Sequence, residues 1–313
     1  TLDANGIKIL YHFTAIGNLK WIAQHKYLYS KEKLQENGIL DDVETGGNKL
    51  SLQLDRDLGN WDKVHVNFCP HTPMAYGLQG QKHIVYVLIN PEVAAWEDVV
   101  FTDTNATRKR DGHHREQGMP GLDLVDFKTI KETLDSGPKA WDRRWHRNVQ
   151  AEVLVPDKIS LDYIESIAFI SKASLEEGER IWGNGRHPSF KVDTDLFHEG
   201  FPCVEDALLT SQEVNKDNVG ITEFISEYEF IVERDSSVTL LVNLKALPGL
   251  QARVLWTTSG SKTISEDDTE FEKEGAYWHW PSVEVEKLGV GNYFVEYYLG
   301  GVRWIRIPFK IRR

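Results

Sequence analysis

The hydrophobic pattern divides this chain of 313 residues into two parts, and this division is the strongest constraint on its fold. Up to about residue 200, short apolar runs that predict strands alternate with a few segments that predict helices. From Ser237 onwards, apolar and polar residues alternate, with Gly and Pro at short intervals, which is typical of a small β-sandwich. We therefore predict an α+β fold, with a mostly antiparallel split-sheet domain over 1–200, a connector over 201–235 and an Ig-like β-sandwich over 236–313.

Local patterns predict the elements of the first part. Helices are expected over 18–27 and 174–181, with a further periodic segment over 124–134. The connector 201–235 has some helical character. Strands are expected over 7–14, 50–54, 64–69, 83–89, 99–102, 150–156, 163–170 and 190–192. A connection as long as 103–148 is usually functional or mobile.

Charge is distributed unevenly along the chain. Residues 1–150 contain 19 basic and 20 acidic residues, whereas 151–313 contain 17 and 28. A net charge of −12, if spread evenly, would argue against nonspecific binding to nucleic acid. In the first part, however, basic residues cluster near tryptophans, and this cluster is either a solvated loop surface or a surface that binds nucleic acid. Its members are Arg108, Lys109, Arg110, Arg115, Trp141, Arg143, Arg144 and Arg147.

Several other patterns exclude classes of protein. Cys69 and Cys203 cannot form a disulfide framework and lack metal-site spacing, which favours a reducing cytoplasm. The sequence shows no apolar run suited to a signal peptide or a membrane span. The pair His113-His114 does not define a closed metal site, and Gly46-Gly47-Asn48 fits no phosphate-binding fingerprint. We predict a cytoplasmic protein that needs no metal and no membrane.

One acidic residue stands where burial makes a charge expensive. Glu152 lies inside the run QAEVLVP, residues 150–156, which reads as a short, mostly buried strand closed by proline. An ionised side chain in such a strand costs free energy unless it is paired or has chemical work to do. The commonest reason for a glutamate of this kind is chemistry at the edge of a cleft.

Three further segments place polar residues where predicted strands end. They are Tyr11-His12-Phe13-Thr14, the arginine Arg56 after 50–54, and the proline-bounded turn over 68–76. Each has an ordinary structural explanation when taken alone. Together with Glu152 they resemble the DarT family of NAD-dependent ADP-ribosyltransferases, the nucleobase-modifying toxins of toxin–antitoxin and phage-defence systems. The matching stretches are YHFT with Asn18-Leu19 after it, TPMAY at 72–76, FTDTNA at 101–106 and QAEVLV at 150–155.

The resemblance covers about residues 7–195 and implies an ADP-ribosyltransferase-like split sheet with NAD as co-substrate. Glu152 would be the catalytic carboxylate, and Arg56 the arginine near the pyrophosphate and the acceptor base. Asp55 and Asp57, which flank Arg56, depart from the more basic run of the family, and His71 stands where an arginine is common. The residues implied to contact NAD are Tyr11, His12, Thr14, Asn18, Phe68, Met74 and Tyr76.

The resemblance further implies that the chain transfers ADP-ribose from NAD to a base of single-stranded nucleic acid, with DNA favoured over RNA, and releases nicotinamide. In that light the basic cluster is expected to bind the acceptor. One alternative is transfer to a protein side chain, although Gln150 stands where protein-modifying relatives often have an acidic residue. Another is a non-enzymatic, NAD-sensing binding or immunity protein. We expect the C-terminal part to bind a partner such as an antitoxin or a chaperone, and the resemblance says nothing about 201–313.

Overall fold

The computed structural model describes residues 2–47, 49–108, 114–136 and 147–313. Two compact units divide the chain. Unit 1 comprises Thr1–Phe169 and Gly178–Glu199, and unit 2 comprises Ile170–Glu177 and Gly200–Arg313. Both helices and strands are present in unit 1, so the α+β class is confirmed.

The strands of unit 1 form one large mixed sheet and a two-stranded ribbon. The strands are β1 (Leu10–Ala15), β2 (Tyr27–Tyr29), β3 (Lys63–Asn67), β4 (Ile84–Ile89), β5 (Val100–Thr102), β6 (Arg115–Gln117), β7 (Glu152–Pro156), β8 (Lys158–Ser160), β9 (Ile164–Phe169) and β10 (Ser189–Val192). In the sheet their order is β10-β9-β4-β1-β3-β7-β5-β6, and β2 pairs with β8. Only the β9–β10 pair is parallel among the described strands of this sheet.

The large sheet is split between β1 and β3. β1 pairs with β4 along its whole length, but with β3 only where Tyr11 meets Asn67. β3 in turn pairs fully with β7, which places Asn67 opposite Glu152. Since one pair of residues joins the two halves, the strands diverge beyond it and leave room for a cleft. The predicted split, mostly antiparallel sheet is therefore present.

The α-helices of the described residues are short. They are α1 (Leu19–His25), α2 (Lys31–Glu36), α3 (Lys49–Asp57), α4 (Pro73–Gln79), α5 (Phe127–Ser136), α6 (Lys172–Trp182) and α7 (Val285–Leu288). α1 buries Leu19, Ile22 and Ala23, the apolar face that the sequence predicts, and it ends where Lys26 adopts a left-handed conformation. The strand β4 reads IVYVLI and is buried throughout, which shows that the sheet is covered on both faces at this strand.

Two local expectations for unit 1 are wrong. Residues 50–54 lie in the helix α3, which places Ser51 and Asp55 one turn apart on one side. The polar composition of 31–48, rich in Gly and Asp, predicts a loop, but this stretch contains α2, whose first turn is capped by the Ser30 hydroxyl accepting a hydrogen bond from the Lys33 amide. The periodic segment near 124–134 is confirmed as helix α5.

Unit 2 contains two sheets that contribute to one apolar core. Its strands are β11 (Cys203–Thr210), β12 (Glu229–Ile231), β13 (Ser237–Ala246), β14 (Leu250–Thr258), β15 (Thr263–Phe271), β16 (Gly275–His279), β17 (Ser282–Glu284), β18 (Gly291–Leu299) and β19 (Val302–Arg312). One sheet has the order β11-β13-β16, with β17 also on β13, and the other has the order β12-β19-β18-β14-β15. Trp256, Leu240 and Ile305 are buried in this core.

The segment 201–235 differs from the expected connector. It supplies β11, which pairs with β13, and β12, which pairs with β19. A bulge between Val204 and Asp206 shifts the register of β11, so the alternation that marks a strand is broken in the sequence.

In the described part of the chain, no helix is long and apolar enough to cross a membrane.

The structure predicts opposite effects for one substitution at two helical glycines. A Cβ added at Gly178 in α6 would overlap the Phe169 ring, whereas one added at Gly77 in α4 meets no atom within 4 Å. We expect Gly178→Ala to lower the free energy of unfolding by about 1–3 kcal/mol through overpacking. Gly77→Ala should raise it by up to about 1 kcal/mol through helix propensity. Thermal unfolding of the two variants checks this, and equal shifts would contradict it.

Candidate active site

Glu152 opens strand β7 and is nearly buried, with 4% of its surface exposed. Its backbone N–H donates to the Thr102 hydroxyl at 3.1 Å, and its Oε1 accepts a hydrogen bond from the Ala106 amide at 3.2 Å. Its Oε2 lies 2.6 Å from Nδ1 of His65. The segment after β5 therefore encloses one side of the carboxylate and β3 supplies the other, so the side chain is held in one orientation.

His65 stands on β3 between two carboxylates. Its Nδ1 faces Glu152, and its Nε2 lies 3.6 Å from Oδ1 of Asp55. The second oxygen of Asp55 is paired with Nζ of Lys31 at 2.8 Å. Because α3 is a helix, Asp55 points into the site, and the four side chains form a continuous row of ionisable groups that we call the Lys31–Glu152 row. It consists of Lys31, Asp55, His65 and Glu152.

His12 on β1 is a neutral imidazole with a defined tautomer. Burial lowers its pKa from 6.5 to about 4, so the ring is uncharged at neutral pH. Its Nδ1 lies 2.8 Å from the backbone carbonyl oxygen of His65. A carbonyl oxygen can only accept, so Nδ1 carries the proton and Nε2 presents a lone pair. The ring can therefore accept a hydrogen bond from a hydroxyl group of a ligand.

Asn18 fixes a glycine-containing rim next to β1. Its amide nitrogen donates to the Thr14 hydroxyl and to the Glu44 carbonyl, both at 2.9 Å, and its Oδ1 accepts from the Glu44 amide at 3.0 Å. The rim continues through Gly46 and Gly47, where an added Cβ would come within 3.4 Å of Leu78 and 2.9 Å of Ser51, respectively. A side chain at Gly47 would require Ser51 to shift, whereas one at Gly46 would make an ordinary contact.

These parts surround one cleft in unit 1, which encloses about 1220 Å³ including its open mouth. His12, Thr14, Asn18, Met74 and Glu152 line it, as the sequence predicts. The residues that the sequence reasoning missed are Lys31, Gly46, Gly47, Asp55 and His65. The strand predicted over 50–54 does not indicate that Asp55 faces the cleft, and Gly46-Gly47 matches no phosphate-binding fingerprint.

Four predicted site residues do not line the cleft. Arg56 is exposed on α3, with its guanidinium 3.8 Å from the centre of the Trp61 ring and outside the cleft lining. Phe68 is fully buried, so its ring cannot stack on a ligand. Tyr76 packs edge-on against His198 and is 41% exposed.

Tyr11, the fourth, shares the register row of Asn67 and Glu152 but does not line the cleft. Burial raises the pKa of its phenol to about 12, so its hydroxyl stays neutral.

Three members of the predicted basic cluster fall within the described residues. The Arg115 guanidinium donates to the Leu58 carbonyl at 2.9 Å and to Oδ1 of Asn60 at 3.1 Å. Arg147 is paired with Asp103 at 3.2 Å, and Arg108 is half-buried directly after the cleft residue Thr107. The other members lie outside the described residues: Lys109, Arg110, Trp141, Arg143 and Arg144.

Comparisons with known proteins identify the family to which the chain belongs. A sequence model of the DarT family, described as ssDNA thymidine ADP-ribosyltransferases, matches residues 11–198. Because this match covers more than half of the chain, the chain belongs to the DarT family, and it is an ADP-ribosyltransferase that uses NAD. Among curated proteins, none matches the chain. The predicted class of enzyme, its co-substrate and single-stranded DNA as acceptor are thereby confirmed at the level of the family.

Similar solved structures include DarT of Thermus sp. 2.9 in complex with NAD⁺, which is 20% identical, with a TM-score of 0.47 over 61% of this chain and 98% of that one. The same protein in complex with ADP-ribosylated ssDNA is 20% identical, with a TM-score of 0.47 over 62% and 97% of the two chains. Thermosipho africanus DarTG in complex with ADP-ribose is 21% identical, with a TM-score of 0.49 over 61% and 51%.

The buried, neutral His12 predicts a pH dependence of stability. Its folded pKa of about 4 lies below the ordinary 6.5, so its contribution to stability is complete above pH 6.5 and is lost as the pH falls towards 4. His12→Asn keeps a donor for the His65 carbonyl and cannot take up a proton. We expect this variant to lose less stability than the wild type between pH 7 and 5, by about 1–2 kcal/mol.

Chemical denaturation at several pH values measures this effect. His187→Asn, at an exposed histidine of the same unit, is the matched control and should follow the wild-type pH dependence. An unchanged pH dependence in His12→Asn would contradict the assignment of a neutral His12.

Proposed function

We propose that this chain transfers ADP-ribose from NAD to the thymine base of single-stranded DNA, with Glu152 as the catalytic carboxylate. The observation that carries the proposal is the nearly buried Glu152, which is held by His65 and the Ala106 amide at the edge of the cleft. Positive charge develops on the ribose as its bond to nicotinamide breaks. A fixed carboxylate in a site with little water stabilises that charge more strongly than one in bulk water would.

The cleft offers groups that suit the ribose and amide portions of NAD. The lone pair on Nε2 of neutral His12 would accept from a ribose hydroxyl, and the Thr14 side chain lies on the same strand. Because Gly46 and Gly47 carry no side chains, part of NAD could approach the backbone of the rim there, and Met74 supplies an apolar contact beside them. This assignment extends the family activity to individual residues.

The acceptor strand would approach from the side of the cleft that carries Thr107 and Arg108. Arg108 directly follows a cleft residue, so its charge stands where a DNA phosphate could pair with it. In contrast, the contacts of Arg115 and Arg147 within the fold support a role in shaping this region.

Glu152→Gln tests the proposed function. The variant keeps the size of the side chain and an acceptor for the Ala106 amide but removes the charge, so we expect transfer to fall by at least about 10²-fold while NAD binding persists. Glu165→Gln, an exposed glutamate on β9, is the matched control and should keep wild-type activity.

The measurement is the mass of a single-stranded DNA oligonucleotide after incubation with NAD. An RNA oligonucleotide of the same sequence tests the choice of acceptor. Transfer by Glu152→Gln at the wild-type rate would rule out the proposed catalytic residue.

We also propose that unit 2 is an Ig-like sandwich that binds an antitoxin or a chaperone in a cytoplasmic toxin–antitoxin or phage-defence system. Its two sheets with one shared core support the sandwich assignment. β15 is an edge strand rich in exposed acidic residues, which suits a basic protein partner. The free thiols of Cys69 and Cys203 are compatible with a reducing compartment.

Substitution of Asp267 and Asp268 by lysine in the full chain tests the proposed partner surface. We expect these changes to weaken neutralisation of the chain by a co-expressed antitoxin candidate, because they reverse the charge of the exposed edge. Transfer to DNA in vitro should be unchanged, since Glu152 lies in unit 1. Full neutralisation of the doubly substituted chain would contradict this role of β15.

A further inference from the structure

Asn67, the last residue of strand β3, carries a buried side-chain amide that pairs with no other side chain or backbone group among the described residues. The residue is 9% exposed and lines the cleft. A primary amide has two donor hydrogens and an acceptor oxygen, and burying it without partners costs free energy. An amide of this kind at the wall of a ligand cleft indicates that a bound ligand supplies the partners.

The register of the sheet gives the direction of the Asn67 side chain. Asn67 stands directly opposite Glu152 in the antiparallel pair of β3 and β7, so the two side chains project from the same face. His65, two residues earlier on β3, also lies on that face, because side chains alternate along a strand, and it contacts Glu152 at 2.6 Å. Val66, between them, is fully buried on the other face. The Asn67 amide therefore projects into the cleft beside the Glu152 carboxylate.

Asn67 also marks the inner end of the cleft. It is the residue of β3 that pairs with Tyr11 of β1, and on one side of this pair the two strands diverge and form the cleft. On its other side, Leu10 and Phe68 are fully buried in the core. A ligand group that reaches Asn67 therefore enters with its end first and has no room for a further chain behind it.

Two groups end the NAD molecule, nicotinamide and adenine. The pyrophosphate and a second ribose separate adenine from the bond that breaks, whereas nicotinamide is attached to that bond directly. The acceptor base belongs to a DNA strand, which has to stay at the open mouth. Because Glu152 lies next to the breaking bond in the proposed reaction, the group that reaches Asn67 beside it is nicotinamide.

We propose that the Asn67 side chain binds the carboxamide of nicotinamide, and that it thereby selects NAD and aligns the leaving group beside Glu152. The two amides are complementary, because Nδ2 of Asn67 donates to the carboxamide oxygen and Oδ1 accepts from the carboxamide NH2. This inference deepens the proposed function and rests on it, since the position of the breaking bond follows from the role of Glu152. Phe68 and Tyr76, which the family resemblance implies to contact NAD, do not line the cleft.

A neutral amide suits a leaving group that loses its charge. The bond between the ribose C1′ and the ring nitrogen breaks, and its electron pair passes to the nitrogen, so the pyridinium cation becomes neutral nicotinamide. No proton moves at Asn67 in this step. A carboxylate at this position would stabilise the cation more than the product and would oppose the departure of the ring. Asn67 holds the ring equally well before and after the bond breaks.

The test measures ligand binding to the full chain by isothermal titration calorimetry in the absence of DNA. It compares the wild type with Asn67→Leu, which keeps the size of the side chain and removes its polar atoms. The matched control is Asn184→Leu, the same substitution at an exposed asparagine of unit 1. The ligands are NAD, ADP-ribose, which lacks nicotinamide, and acetylpyridine adenine dinucleotide, in which a methyl group replaces the NH2 of the carboxamide.

We expect Asn67→Leu to weaken the binding of NAD by about 10-fold or more, because two hydrogen bonds are lost and the carboxamide is left without partners. The affinity for ADP-ribose should be unchanged. The wild type should bind acetylpyridine adenine dinucleotide more weakly than NAD, since the methyl group cannot donate to Oδ1 of Asn67. Asn67→Leu should bind these two dinucleotides alike, because the losses share one contact and do not add. Asn184→Leu should behave as the wild type.

Several results would overturn the inference. An equal loss of affinity for NAD and ADP-ribose in Asn67→Leu would place this side chain at another part of NAD. Unchanged binding of both ligands, with slower transfer to DNA, would place it at the acceptor base. If Asn67→Leu does not fold, the wild type decides, because equal affinity for NAD and acetylpyridine adenine dinucleotide refutes the carboxamide contact. The proposed function is judged separately by the transfer activity of Glu152→Gln, which these binding measurements do not involve.

Discussion

The hydrogen bond between His65 and Glu152, at 2.6 Å across adjacent strands, is the interaction on which the candidate site depends. Glu152 is nearly buried, and its charge would be strongly disfavoured there without a donor on each side. The imidazole supplies one donor and the Ala106 amide the other. The same interaction ties β3 to β7 at the point where the sheet has lost its pairing to β1. This contact therefore fixes the orientation of Glu152 and adds to the backbone pairing of β3 with β7.

The split of the sheet explains why the cleft lies where it does. A fully paired β1–β3 edge would close the space between His12 and His65, whereas pairing at a single position lets the strands diverge. A side-chain link across the gap is the hydrogen bond from His12 to the His65 carbonyl, which keeps the imidazole aimed into the cleft while burial keeps it neutral. Polar side chains can face the opening because they no longer pack against a neighbouring strand.

The sequence predicted His12, Thr14 and Glu152 on their strands but missed Lys31 and Asp55, which lie on helices, and His65 on β3. Strand residues such as His12 and Glu152 sit in apolar runs whose period is visible, so their positions follow from local pattern. Residues 50–54 alternate weakly enough to resemble a strand, and a strand would present Arg56 at its end. A helix rotates each residue by about 100°, so Asp55 and Arg56 point in different directions. The choice between helix and strand there depends on tertiary contacts such as the approach of Asp55 to His65, which a local pattern does not show.

The Lys31–Glu152 row also sets how its members respond to change. In a row of largely buried, paired groups, removing one partner leaves its neighbour unpaired, which costs more than the interaction itself contributes. Lys31 holds one oxygen of Asp55 at 2.8 Å and leaves the other oriented towards His65. Loss of Lys31 would therefore free Asp55 to turn away from His65. The orientation of the His65 ring, and through it the orientation of the Glu152 carboxylate, thus depends on the whole row.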